Sequence, residues 1–159
     1  MTVDSITETS EYLTFKIDEE YFTVMVHNVR EILEYTKITK MPDAPNFMRG
    51  IINVRGSVIP VIDLRLKFGM EATIPKASTR IIVMEIEKEG GSLTIGSLAD
   101  AVKEVIEIAP DQIEPPPDMG THWKKDYIIG VGQYSDEFIM ILDIKKLFSM
   151  AELTCLAQS

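Results

Sequence analysis

Short apolar runs separated by polar or glycine-containing turns follow one another along the chain. The runs are rich in β-branched and aromatic residues, which is typical of β-strands. They read YLTFKI (12–17), YFTVMV (21–26), GIINVRG (50–56), VIPVIDL (58–64), RIIVMEI (80–86), SLTIGSL (92–98), YIIGVGQY (127–134) and EFIMIL (137–142). The connections DEE (18–20), EKEGGS (87–92) and SDE (135–137) suit tight reversals. This spacing predicts an all-β protein.

The apolar pattern repeats within the chain. Sliding residues 50–68 onto residues 130–148 aligns Gly50 with Gly130, Ile59 with Ile139, Asp63 with Asp143 and Phe68 with Phe148. Upstream, VREIL (29–33) matches VKEVI (102–106), although each of these segments fits either a helical face or a strand. We therefore predict an internal two-fold repeat, with halves at roughly residues 12–75 and 80–149. Short, sharply bent strands suit small barrels, and we expect the two units to share a core.

The ends of the chain and of two strands have simple interpretations. We expect residues 1–11 to form a flexible N-terminal segment and residues 150–159 a C-terminal tail. Asp63 and Asp143 each end a strand and precede a short amphipathic segment, LRLKF or IKKLF. An aspartate in this position can cap the exposed N–H groups of a helical turn. Capping is therefore the expected role of both side chains.

Composition and charge narrow the range of partners. The chain has 159 residues, 45% of them hydrophobic, and a net charge of −9. An acidic protein surface repels phosphate backbones and anionic lipids and so disfavours their binding. Nucleic acid is therefore not an expected partner. The N-terminus is polar and acidic, and no apolar run approaches the roughly 20 residues that span a bilayer. We expect a cytoplasmic protein without direct membrane insertion.

Residues suited to catalysis or metal binding are scarce. His27 and His122 are the two histidines, they lack metal-ligand spacing, and Cys155 is the single cysteine. The glycines of EGGS precede a strand-like run, whereas a phosphate-binding loop leads into a helix. We therefore expect no enzyme activity, no catalytic residues, no metal and no cofactor.

The stretch NVRGSVIPVIDLR (53–65) places Arg55 and Gly56 at a bend between two apolar runs. Glycine tolerates backbone conformations that are costly for other residues, and such a bend leaves the arginine at the surface. From these residues alone, Arg55 is equally well explained as a solvated turn charge or as an interface anchor.

Longer motifs resemble the CheW family, the adaptors of bacterial chemotaxis. The resemblance rests on FMRGIINVRGSVIPVIDLRLKFG (47–69), VREI (29–32), DAPNF (43–47) and ILDIKKLF (141–148), and it extends over residues 12–148. It implies two intertwined five-stranded SH3-like barrels with short helices. It also implies a non-catalytic adaptor that couples the cytoplasmic tips of methyl-accepting chemotaxis receptors to the histidine kinase CheA. Such an adaptor is recruited to membrane receptor arrays through its protein partners.

The resemblance also implies a receptor-binding site in a groove between the two barrels. The matching residues of this chain are Val29, Glu31, Gly50, Asn53, Arg55 and Gly56. Val54 replaces the leucine that is usual before the arginine, which is a conservative change. No comparably sharp motif marks the kinase-binding surface, so its residues stay unassigned.

Two other interpretations remain open at this point. One is a small β-barrel enzyme or ligand carrier, which a deep apolar pocket with convergent polar groups would support. The other is a CheW-like fragment of a CheV or CheA protein, although 159 residues leave no room for a kinase, phosphotransfer or receiver domain. A shallow groove rimmed by Arg55 and Glu31 would favour the adaptor.

Overall fold

The computed structural model describes residues 6–88, 90–116 and 127–147, and within them the fold is all-β, as predicted. The strands are β1 (Ser10–Ile17), β2 (Glu20–Met25), β3 (Val29–Glu34), β4 (Met48–Val54), β5 (Ser57–Asp63), β6 (Arg80–Lys88), β7 (Gly91–Ala99), β8 (Ala101–Ile108), β9 (Ile128–Tyr134) and β10 (Glu137–Leu142). Two short helices, α1 (Leu64–Lys67) and α2 (Ile144–Leu147), follow β5 and β10. Single 3₁₀ turns occupy Val26–Asn28 and Pro110–Gln112. His122, Phe148, Cys155 and the expected C-terminal tail lie outside the described residues, as do residues 1–5 of the expected N-terminal segment.

The strands form two five-stranded sheets that exchange strands between the halves of the chain. Sheet A has the order β8-β1-β2-β10-β9, and sheet B has the order β3-β6-β7-β5-β4. The first half thus contributes β1 and β2 to sheet A but β3, β4 and β5 to sheet B, and the second half does the reverse. In each sheet the exchanged hairpin lies between two strands of the other half: it pairs in parallel with one of them, β2 with β10 or β7 with β5, and antiparallel with the other, β1 with β8 or β6 with β3. The predicted two-fold repeat and the intertwined arrangement are confirmed.

The segments VREIL and VKEVI, which fitted either a helix or a strand, are the equivalent edge strands β3 and β8. The sheets are open, because no hydrogen-bonded ladder joins β3 to β4 or β8 to β9 in the part of the chain that the structure describes. Isolated bridges lie near these gaps instead, between Thr39 and Ile51 and between Glu114 and Val131. The implied barrels are therefore curved sheets whose edges approach each other without closing.

Successive side chains of each strand point to opposite faces of its sheet, and the apolar ones form three hydrophobic cores. The central core packs sheet A residues Leu13, Phe15, Ile17, Phe22 and Val24 against sheet B residues Ile62, Ile82, Met84, Ile86 and Ile95. On the other face of sheet B lie Ile52, Ile59, Val61, Ile81, Val83 and Leu98, and on the other face of sheet A lie Tyr12, Ile108, Ile113, Ile129 and Ile141. Each sheet thus has apolar side chains on both faces, and the two units share a core as expected.

Asp63 has a larger structural role than the predicted helix cap. Its carboxylate accepts the Arg65 N–H at 3.1 Å, which confirms the cap. It also accepts both the N–H and the hydroxyl of Thr73 at 2.8 Å and lies 3.1 Å from the Arg49 guanidinium. The side chain is fully buried. Asp63 therefore ties the connection between α1 and β6 to the end of β5.

Asp63→Ala is expected to lower the free energy of unfolding by about 3 kcal/mol, because it leaves Arg49 and the Thr73 donors without their buried partner. Urea denaturation measures this loss. Thr73→Val is the matched comparison, since it removes one hydroxyl donor to Asp63 and leaves the Arg65 cap and the Arg49 ion pair in place. The loss of one buried hydrogen bond costs about 1 kcal/mol. Equal losses for the two variants would contradict the larger role of Asp63.

Candidate functional site

The bend at Arg55 is a two-residue hairpin turn between β4 and β5. Arg55 and Gly56 both have positive φ angles, 50° and 87°, as type I′ hairpin turns require. The side-chain oxygen of Asn53 accepts the Gly56 N–H at 3.0 Å. Glycine was expected to take the costly conformation here, but an arginine shares it, which is uncommon for a residue with a side chain. The turn therefore holds Arg55 outward at the end of the hairpin.

Arg55 forms a two-pronged ion pair with Glu31. Its Nη1 and Nη2 atoms donate to the two carboxylate oxygens at 2.5 Å and 2.9 Å. Glu31 lies on β3, the edge strand at the opposite side of sheet B, so the pair spans the gap that backbone hydrogen bonds leave open. The Arg55 side chain is nevertheless 75% exposed. Two of the residues predicted for the site are thus in direct contact, which their separation in the sequence did not indicate.

The ion pair changes the acidity of both groups. The hydrogen bond from Arg55 lowers the pKa of Glu31, and the charges of Arg55 and Arg30 act in the same direction. The hydrogen bond to Glu31 raises the pKa of Arg55 further above its already high value. Both side chains therefore carry full charge at neutral pH.

A cavity of about 430 Å³ lies beside this ion pair. The described residues that line it come from all five strands of sheet B and from the Arg55 turn. They include the apolar Val54, Val58 and Leu93 as well as Arg30, and Val58 is 63% exposed. The resemblance implied a groove between the two barrels, but this cavity is formed within the sheet B unit. None of its described lining residues is a histidine or a cysteine.

Two other residues predicted for the site, Val29 and Gly50, lie at β-bulges in β3 and β4. A β-bulge in β3 shifts the register between Val29 and Glu31, so that Val29 packs against the central core beside Met84, whereas Glu31 lies beside Val83 on the opposite face of sheet B. A second bulge in β4 shifts the register between Met48 and Gly50. Gly50 is buried, with φ of 147°, and contributes no side chain. Direct contact of Val29, Gly50, Asn53 or Gly56 with a receptor stays a prediction.

Gly50 allows the segment after β3 to approach β4. Thr39 and Ile51 exchange two backbone hydrogen bonds, of 3.0 Å and 2.8 Å, directly beside it. A Cβ atom at Gly50 would lie 2.1 Å from the carbonyl oxygen of Thr39. A glycine is therefore required here for close backbone contact.

Sequence reasoning missed several lining residues. Arg30 lies in the VREI motif and carries a recognisable charge, but its place in the cavity depends on the bulge. Val58 was identified as part of an apolar run, and its exposure follows from its place near the hairpin turn, beyond the part of β5 that pairs with β7. Leu93 and Thr94 come from β7, and no sequence signal connects them with Arg55.

Comparisons with known proteins agree with this architecture. A family model described as "CheW-like domain" matches residues 11–152. This chain belongs to the CheW family. It is 30% identical to the chemotaxis protein CheW of Klebsiella aerogenes, over 90% of this chain and 84% of that protein. It is 32% identical to the probable chemotaxis protein CheW of Rhizobium etli, over 89% of each chain.

A solved structure supports the CheW-like fold directly. The crystal structure of the scaffolding protein TtCheW from Thermoanaerobacter tengcongensis shares 36% sequence identity with this chain. The two match with a TM-score of 0.77 over 89% of this chain and 88% of the other. The predicted family and fold class are therefore confirmed.

Gly50→Ala is expected to destabilise the protein by about 3 kcal/mol, because the new methyl group overlaps the Thr39 backbone in an already unusual conformation. Thermal or urea unfolding measures the loss. Gly56→Ala is the matched control, since a Cβ atom there meets nothing within 4 Å. Its cost should be limited to the strain of a positive φ, about 1 kcal/mol. Equal losses would contradict the close backbone contact at Gly50.

The Glu31 carboxylate should titrate below the usual glutamate range and return towards it in Arg55→Ala, because Arg55 stabilises the charged form. An NMR titration of the side-chain carboxyl carbon measures both values. Since the pKa is lowered in the folded state, the pair's contribution is present above the ordinary glutamate range. It is lost as the pH falls through the lowered value. A Glu31 pKa that does not respond to Arg55→Ala would contradict the ion pair.

Proposed function

We propose that this protein is a non-catalytic adaptor that couples methyl-accepting chemotaxis receptors to a CheA-type histidine kinase. Membership of the CheW family and the match to a CheW scaffolding protein support the adaptor role. The observation that carries the proposal is the exposed Arg55 fork, which Glu31 holds at the hairpin of the family signature. Adaptor function requires binding surfaces rather than reacting groups, and this site is of that kind.

Arg55 is suited to act as the receptor-binding anchor. Two of its nitrogen atoms already donate to Glu31, and the guanidinium has further N–H groups that point to no described acceptor. With most of the side chain exposed, these donors are available to a carboxylate or carbonyl group near the receptor tip. The apolar side chains of Val54, Val58 and Leu93 beside it offer surface for aliphatic receptor residues.

Glu31 acts as a positioning residue in this proposal. A free arginine loses rotamer freedom when it binds a partner, and that loss reduces affinity. The ion pair with Glu31 restricts the Arg55 side chain before the receptor arrives. The Arg55 side chain therefore loses part of its rotamer freedom on folding, and receptor binding removes less of it.

The proposed location is the cytoplasm, with recruitment to receptor arrays through protein partners. Within the described residues, no helix has the length and apolar character needed to cross a bilayer. The described residues also contain no group of three or more histidine, cysteine or acidic side chains arranged to hold a metal ion. The kinase-binding residues remain unassigned.

Arg55→Ala is expected to weaken binding to a purified receptor tip by about thirtyfold, the effect of losing a central interface arginine. Kinase binding and the melting temperature should change little, because the side chain is mostly solvated. Calorimetry with each partner and thermal melting measure the three quantities. Lys103→Ala removes an exposed cation of β8 and serves as the control. If Arg55→Ala bound the receptor with unchanged affinity, Arg55 would be a solvated turn charge and not an interface anchor.

The same measurement tests the positioning role of Glu31. Glu31→Gln should weaken receptor binding less than Arg55→Ala does, because it loosens the anchor without removing it. In the Arg55→Ala background, Glu31→Gln should have no further effect, since its action passes through Arg55. Additive effects of the two substitutions would show that Glu31 contacts the receptor independently.

A further inference from the structure

A second cavity, of about 370 Å³, lies in the sheet A unit and shares no lining residue with the cavity beside Arg55. Ile106, Ile108 and Val131 supply its apolar lining. Phe138 also lines it and is 67% exposed. Phe138 faces Gln133 across the β9–β10 hairpin, just as Val58 faces Asn53 across the β4–β5 hairpin. The internal repeat thus places an exposed apolar side chain at the same position in both units.

The two cavities differ in the charged side chains that line them. Glu107, Asp111 and Glu114 line the second cavity, and no described lysine or arginine lines it. The first cavity contains Arg30 and Arg55, and both are near a carboxylate. The three carboxylates of the second cavity are exposed, and within the described residues none of them forms an ion pair.

Glu107 also meets a like charge. It lies directly opposite Glu11 in the pairing of β8 with β1, an arrangement that is unfavourable in a sheet. A cation bound beside Glu107 would therefore relieve the repulsion between the two carboxylates.

We infer that the second cavity is a docking site for a partner-protein segment that carries a lysine or arginine next to an aliphatic or aromatic residue. The apolar residue covers Phe138 and the isoleucine lining, and the cation approaches Glu107, Asp111 and Glu114. Phosphate backbones and anionic lipid surfaces are excluded by the same carboxylates. This site is independent of the proposed receptor-binding surface, because the two cavities have no residue in common.

The test is an NMR titration of the isotope-labelled full chain with a short synthetic peptide in which lysine alternates with leucine and phenylalanine. Shifts are expected at the backbone amides of Gly132, Gln133 and Glu107. Phe138→Ser, and separately Glu107→Gln with Asp111→Gln, should each weaken binding by about tenfold. Raising the salt concentration should weaken it as well. Val58→Ser changes the equivalent residue of the other unit and should leave the binding unchanged.

Two control peptides separate docking from general attraction to an acidic chain. A peptide with glutamate in place of lysine should not bind, and one that alternates lysine with glycine should bind much more weakly than the apolar version. Equal binding of the lysine–glycine peptide would overturn the inference, and so would undiminished binding to Phe138→Ser. Should Phe138→Ser fail to give a folded spectrum, Phe138→Asn replaces it with the same expected loss.

The result is also separable from the proposed function. A chain that binds neither receptor nor kinase would refute the adaptor proposal, whereas the peptide titration reports on the second cavity alone. Peptide binding without receptor binding supports the cavity and rejects the adaptor. Receptor binding without peptide binding supports the adaptor proposal and rejects the docking site at the second cavity.

Discussion

The central core between the two sheets is the constraint on which the rest of the structure depends. Each half of the chain places its first two strands in one sheet and its last three in the other, so neither sheet can form from one half alone. The apolar side chains of Phe15, Phe22, Ile82 and Met84 are buried only when both sheets pack together. Because this burial removes a large apolar area from water, it favours folding of the two halves as one unit.

The exchange of strands also explains why the candidate site lies at the edges of a sheet. Packing both faces of sheet B curves it, and its edge strands β3 and β4 approach each other without a continuous ladder. Bulges in both strands then change the course of the backbone, placing Glu31 on the same face of sheet B as Val83 and bringing Gly50 against Thr39. The Arg55–Glu31 pair occupies this gap with exposed, charged groups, so that the edges present a polar surface with donors available to a partner.

The two units have the same backbone plan but different surfaces. The β9–β10 turn repeats the positive φ angles of the Arg55 turn at Ser135 and Asp136, so the conformation is common to both. In sheet A, the hydroxyl of Tyr134 donates to Glu104 at 2.9 Å, where sheet B has the Arg55–Glu31 pair. A tyrosine therefore bridges the gap between the edge strands of sheet A, and an exposed arginine bridges the gap in sheet B. A repeat of this kind gives one chain two surfaces of unlike charge, and the two proposed binding sites lie on them.

Much of the fold could be predicted from local patterns, because strand propensity, turn residues and the repeat are all properties of neighbouring residues. The eight apolar runs, the equivalence of Asp63 with Asp143, and the exposed bend at Arg55 follow from the sequence in this way. The predicted site set grouped Glu31 and Arg55, which form the ion pair, with Val29, which packs against the central core, and with the buried Gly50. Local pattern could not decide between helix and strand for VREIL, nor show that Thr73 makes Asp63 more than a cap. It also could not connect Leu93 with Arg55 or Glu107 with Glu11. These relations join residues far apart in the chain, and they exist only where the exchanged strands, the bulges and the curvature of the packed sheets bring the side chains together.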